Sequence, residues 1–161
     1  MTSITIDTPV GRLTVVARGD SVVAAGFTDD EAGLLALVHP KIQTAGDADL
    51  DLITKAVNAY FDGDLTALDS VPVEQRGGAF LEAGWAALRS IPPGAPITYT
   101  KLADLAGRPA AVRAAAQACA RNAIAPFVPC HRVVRTDGTL GGYRYGIEVK
   151  RLLLAHERQI T

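Results

Sequence analysis

Cys130 is followed at once by His131 and then by Arg132, inside the run FVPCHRVV that spans residues 127–134. No other stretch of the chain sets a thiol beside an imidazole and a guanidinium. A cysteine so placed is a metal ligand, a nucleophile or a packed thiol. A structural zinc takes about four ligands at a recurrent spacing. The 2 cysteines and the histidines His39, His131 and His156 form no CxxC or HxxxH arrangement, so no metal site is expected. A lone cysteine ordinarily packs as a small apolar residue. Against that, cationic neighbours favour the thiolate, a nearby base activates a thiol, and Pro129 stiffens the approach. Neighbours on an extended segment point to opposite faces, which makes Cys130 and His131 a poor direct hydrolase pair.

The elements that must position this segment are legible from spacing. SITIDT, RLTVVAR and SVVAAGF are β-like runs joined by the turn sequences PVG and GD, which predicts an antiparallel meander. Residues 29–48 carry no clear period and read as a short helix plus loop. Leu50, Ile53, Val57, Tyr60 and Phe61 recur at helical spacing, and Gly63 ends the pattern. SVPVEQRGG then marks a boundary, dividing a domain at 1–72 from one at 73–161.

Beyond the boundary the pattern is mainly helical. Phe80, Leu81, Trp85 and Leu88 make one apolar face closed by SIPPG, with Trp85 a core residue. Residues 98–122 form two short helices about a tight turn, a helix-turn-helix pattern. Leu102, Leu105 and Ala106 mark the inner face of the first; Gly107 suits its cap and Pro109 the start of the second. In the second, Val112, Ala115 and Cys119 point inward, while Arg113, Gln117 and Arg121 form a polar stripe. Its seven alanines make it slim, which suits either close approach to a narrow groove or simply alanine's helix propensity.

The chain of 161 residues, 48% apolar, can fill a real core. Its two cysteines suit a reducing compartment, the N-terminus shows no export signal, and no apolar run reaches membrane-spanning length. A cytoplasmic protein without a membrane partner is expected. The net charge of −1 hides an asymmetry: residues 1–75 hold 4 Lys/Arg against 12 Asp/Glu, a net of −8, whereas 76–161 hold 12 against 5, a net of +7. That division predicts an anionic partner for the second half or, more plainly, chance clustering of surface charge.

PCHRVV, with Asn122 eight residues before the cysteine and GYRYG after it, resembles the active-site segment of O6-alkylguanine-DNA alkyltransferases. The likeness runs on through RGGAF, ALRSIPPG, ITYTKLADLAG, AAVRA, DGTLGGYRYG and LLLAHE, and is nearest to the methyltransferase half of bacterial adaptive-response proteins. The amino-terminal half is similar to the family in strand-rich layout and length. The resemblance implies an α/β (α+β) protein: a small antiparallel sheet with a helix, ribonuclease H-like, followed by the helix-turn-helix domain.

It also implies direct-reversal repair of duplex DNA, in which an alkyl group leaves O6 of guanine (less so O4 of thymine) for Cys130, once per molecule. Cys130 is then the acceptor, and His131, oriented by Glu157, takes its proton through a water. Asn122 sets the turn after the recognition helix, and Tyr99 crowds the target phosphate and hydrogen-bonds the leaving base. Arg113 fills the vacated stack, and Gln117, Arg121 and Arg132 complete a DNA-binding set. Tyr143, the backbone of Val133 and Arg144, Tyr145 and Cys119 belong to the guanine pocket. No cofactor is implied, and the protein is expected to be a monomer with room for cooperative loading on DNA. Ala123 departs from the family's usual NPxP run, and Arg144 and Tyr145 replace small residues. The zinc-binding and phosphotriester-repair parts of some relatives have no counterpart. Outside the motif each residue has a plainer reading: half-buried packing for Tyr99, a solvated helix residue for Arg113, an exposed position for Glu157, a helix cap for Asn122.

Overall fold

The three apolar runs at the start of the chain have β-branched residues and two-residue turns, and they form the expected meander. In the computed structural model, which describes residues 2–42 and 46–158, β1 (Thr2–Thr8), β2 (Gly11–Arg18) and β3 (Ser21–Gly26) pair antiparallel in the order β1-β2-β3. Val15, Val16 and Ala17 are buried in succession, as are Val22 to Ala25, so both faces of β2 and β3 are covered. Helix α1 (Glu31–Leu35) comes next, and residues 43–45 of the expected loop lie outside the described residues. Helix α2 (Leu50–Phe61) starts where the Asp49 carboxylate accepts from the backbone N–H groups of Asp51 and Leu52. Ile53, Val57 and Tyr60 form its buried stripe.

The chain divides into two compact units, 1–76 with 123–127, and 77–122 with 128–161. In the first, the outer edge of β3 is closed twice. Val22 N–H donates to the Pro72 carbonyl at 2.9 Å, and Ala25 N–H to the Ala123 carbonyl at 2.8 Å. A strand edge with its backbone groups paired in this way offers no template for another chain.

The second unit holds α3 (Ala79–Arg89), β4 (Ile97–Thr98), α4 (Tyr99–Leu105), α5 (Val112–Ala120), β5 (Val133–Val134) and α6 (Ile147–Arg158). Trp85 lies in its core, as expected, with the indole N–H donating to the Ala118 carbonyl at 3.0 Å. Leu102 and Ala103, rather than Leu105, make the inner face of α4, and Leu105 is 47% exposed. A seven-residue helix has room for only one short buried stripe, and Leu105 falls off it in the last turn. Pro109 does not start α5: residues 108–111 make a separate turn, with the Ala111 N–H donating to the Arg108 carbonyl, and the helix begins at Val112.

Glycine is required where α3 meets α5. A Cβ on Gly84 would lie 2.9 Å from the Ala118 methyl. Replacing Gly84 by Val should therefore overpack this contact and lower stability by about 1–3 kcal/mol, read as a lower urea midpoint at unchanged slope.

Candidate active site

The order Pro-Cys-His-Arg folds locally into a single 3-10 turn over Cys130–Arg132, not the extended segment expected. Successive side chains there diverge by about 120°, so the thiol and the neighbouring imidazole still face different surroundings. Three devices hold the turn. The Asn122 amide donates to the Val128 carbonyl at 2.8 Å, closing the base of the 123–127 excursion. The parallel pairing Ile97↔Val133 and Thr98↔Val134 anchors the strand on the far side of the turn and sets Tyr99 beside it. The Thr98 hydroxyl accepts from the Lys101 N–H, making Tyr99 the first residue of α4.

Behind the turn lies a buried ionic cluster. His131 Nε2 is 2.8 Å from Glu157 Oε2, and Arg132 donates from Nε to Oε1 and from Nη2 to Oε2, both at 2.9 Å. Arg132 Nη1 also donates to the Ile91 carbonyl at 2.7 Å. His131, Arg132 and Glu157 are 1%, 4% and 1% exposed. The expectation that Arg132 binds DNA is thereby corrected: its guanidinium is buried and bound to Glu157. For the same reason it does not lower the thiol pKa. Glu157 is not on an exposed face but at the centre of the cluster.

Charge states are set by burial and partners. Burial alone would raise the Glu157 pKa, but the His131 hydrogen bond and the bidentate Arg132 outweigh it and hold the carboxyl well below the usual range. Burial lowers the His131 pKa against the opposing pull of Glu157, keeping the imidazole neutral. With Nε2 donating to the carboxylate, Nδ1 carries the basic lone pair, and it has no hydrogen-bond partner among the described residues. Burial raises the Cys130 thiol, countered in part by a hydrogen bond from Asn122 and by the charges of Lys150 and Arg144. The resting group is a thiol, so the thiolate expected from cationic neighbours has to be generated by proton transfer.

The remaining expected residues divide into two sets. Tyr99 stands half-buried near both thiols, and burial raises its hydroxyl to about 12, so it remains a donor. The loop before Tyr143 runs close against it: a Cβ on Gly141, whose φ is +75°, would lie 2.8 Å from the Tyr99 Oη. Tyr143 and Tyr145 pack edge to face with ring centroids 5.7 Å apart, and burial raises Tyr145 to about 12 within the electrostatic reach of Cys130. Cys119 is an inward thiol whose pKa burial also raises, near enough that its charge would disfavour a second thiolate. Val133 is buried, and the Arg144 side chain donates to the Ala120 carbonyl at the end of α5. Arg113, Gln117 and Arg121 are exposed along α5, outside this cluster.

Lys150 is the residue that sequence reasoning missed. It is fully buried, with Nζ donating to the Val133 carbonyl at 2.7 Å and to the Gly142 carbonyl at 3.3 Å. The signal was present: Lys150, Leu153, Leu154 and Glu157 fall at i, i+3, i+4 and i+7, so a lysine sits on the buried stripe of α6. Among the described residues there is no group of three or more potential metal-ligating side chains, and no helix is long and apolar enough to cross a membrane.

Residues 79–159 match the model described as 6-O-methylguanine DNA methyltransferase, DNA binding domain, and residues 1–75 match the ribonuclease-like domain of the same name. The chain is 39% identical over 156 residues to the bifunctional transcriptional activator/DNA repair enzyme Ada of Escherichia coli, covering 95% of this chain but 44% of that protein. It thus spans less than half of that relative. It is 38% identical to a methylated-DNA–protein-cysteine methyltransferase of Mycobacterium tuberculosis, covering 96% of this chain and 90% of that one. The crystal structure of Mycobacterium tuberculosis OGT in complex with DNA is similar at a TM-score of 0.80 and 35% identity, over 96% of this chain and 91% of that one.

The cluster fixes the pH dependence of stability. His131 has its folded pKa below 6.5 and Glu157 below 4.5. Below each of those ordinary values the unfolded chain binds a proton that the folded chain refuses, so both contributions shrink on acidification. Urea stability should fall as pH drops from about 6.5, and again below about 4.3. Glu157→Gln should cost about 3–5 kcal/mol at neutral pH by leaving the buried Arg132 unpaired and should flatten the acid limb.

Proposed function

Since this chain belongs to the O6-methylguanine-DNA methyltransferase family, we propose that it repairs duplex DNA by moving an alkyl group, chiefly methyl, from O6 of guanine to Cys130. The observation that carries the reading is a buried thiol next to a neutral imidazole whose other nitrogen is held by an ionised, arginine-bound carboxylate. This arrangement makes a thiolate on demand and withholds it otherwise.

The target carbon lies in a base stack, so the nucleotide must turn outward at a cost of a few kcal/mol, less where alkylation has weakened its pairing. Exposed Arg113 on slim α5 fills the gap, with Gln117 and Arg121 along the same stripe toward the backbone. The everted guanine enters between Tyr143 and the Val133–Arg144 backbone. The thiol proton passes through a water to His131 Nδ1. Sulfur then attacks the alkyl carbon, the C–O6 bond breaks with its electron pair on oxygen, and the proton returns to the departing guanine. Tyr99, still a phenol, donates a hydrogen bond to that base. The thioether has no hydrolytic exit, so each molecule acts once and needs no cofactor.

We place the division of labour at the 72/73 boundary, with the first domain structural and the second binding DNA as a monomer in the cytoplasm. O4-alkylthymine is the lesser substrate.

Incubation with methylated duplex DNA should add one methyl to the peptide containing Cys130, and Cys130→Ser should leave the lesion in place. Repeated turnover without a protein adduct would mark a hydrolase, and lesion binding without an adduct a damage sensor; either result ends this reading. Tyr145, packed on Tyr143, narrows the pocket mouth. Inactivation by O6-benzylguanine should accordingly be slower than by O6-methylguanine, and Tyr145→Gly should reduce the difference by about tenfold. Equal rates in the parent would contradict the narrowing.

A further inference from the structure

Arg132, expected to meet DNA, is buried against Glu157, but a second arginine follows it closely in the chain. Arg135 is exposed at the start of the turn after β5. Its N–H donates to the Thr139 carbonyl at 2.9 Å, and the Gly138 N–H donates to the Arg135 carbonyl at 3.0 Å, with Gly138 at a φ of +88°. A closed turn presents the side chain from backbone that is already ordered, which lowers the entropy lost on binding.

The parallel register Ile97↔Val133 and Thr98↔Val134 delivers the next residue of each strand, Tyr99 and Arg135, to the same end of the pairing. The two lie within electrostatic reach: burial and the two thiols hold the Tyr99 phenol protonated, and the charge of Arg135 acts on it in the opposite sense. Several basic side chains of this unit are already engaged. Lys101 pairs with Asp104, Arg108 lies over the Phe80 ring, Arg144 donates to the Ala120 carbonyl and Arg151 pairs with Glu148. Asp137, the carboxylate nearest to Arg135 in the chain, accepts instead from the Thr139 N–H at 3.0 Å and from the Thr139 hydroxyl at 2.7 Å. Arg135 has no ion-pair partner among the described residues.

A base held near Tyr99 leaves its flanking phosphates at the surface, since a phosphate charge is costly to bury. Arg135 supplies an exposed cation at that rim. We propose that Arg135 is a phosphate-binding residue that grips the backbone of the nucleotide turned out of the duplex, beside Tyr99. A contact made with the everted strand and not with the stacked one offsets part of the cost of eversion. The inference rests on the alkyl-transfer reading for the entry of the base, but its physical content is one cation–phosphate contact.

The test uses lesion-bearing duplexes in which either phosphate flanking O6-methylguanine is replaced by an uncharged methylphosphonate. Proteins carrying Cys130→Ser bind them without transfer, and fluorescence anisotropy across a salt series reads the affinity. In that background Arg135→Gln should weaken binding of the unsubstituted duplex about tenfold and lower the salt slope by about one. One of the two methylphosphonates should weaken the Arg135 protein by a similar factor and leave the Gln protein indifferent, because the contact is already lost. Arg135→Lys keeps the charge and should stay within about threefold of Arg135. Additive losses at both phosphates overturn the proposal, as does a Gln protein that binds like its Arg135 counterpart. Should the Gln protein not fold, the Lys protein decides: sensitivity to one flanking phosphate supports the contact, and indifference to both overturns it. A parent that demethylates nothing, with the phosphate coupling intact, removes the alkyl-transfer reading alone. A demethylating parent with additive losses removes only the role of Arg135.

Discussion

Everything at the site depends on one buried carboxylate. Glu157 receives two hydrogen bonds from Arg132 and one from His131, all at 2.8–2.9 Å and away from water. The hydrogen bond to His131 and the bidentate arginine together keep the glutamate ionised despite burial, and the ionised glutamate fixes which imidazole nitrogen bears the proton. That in turn leaves Nδ1 as the basic atom. A buried ion pair of this kind is weak evidence for stability, because desolvation offsets most of the attraction. Its value here is orientation. Remove one partner and the other is left as an uncompensated charge, so the three residues stand or fall as a unit.

The thiol obeys a different logic. Burial raises Cys130, where many reactive cysteines are instead lowered and exposed. A sulfur that stays protonated until a base is engaged is shielded from adventitious electrophiles. Asn122, Lys150 and Arg144 counter the burial without abolishing it. The site therefore combines a protonated thiol with a neutral imidazole oriented by an ionised carboxylate.

Close approach is the second constraint. Gly84 against Ala118 and Gly141 against Tyr99 leave no room for a Cβ. The small residues of α5 allow that helix to pack tightly on α3 while Arg113, Gln117 and Arg121 remain outside. The slimness of α5 thus has an internal use in packing, whatever it meets on its outer face.

Local pattern determined the meander, helices α2, α3, α5 and the division of charge, because strand alternation, helical spacing and turn residues are properties of neighbouring positions. Pattern also brought Cys130 and His131 to notice, whereas Asn122 and Glu157 came to notice through the resemblance to the family. It misplaced Arg132 and overlooked Lys150, since both are charged residues whose usual place is solvent. Only the tertiary structure brings α6 behind the 3-10 turn. There, burial and distance decide that one cation binds Glu157 and the other sits beneath Tyr99. Charge state is likewise a tertiary property: a thiol flanked in sequence by His and Arg reads as acidic, but the surrounding apolar atoms and the direction in which each cation points reverse the sign of its shift.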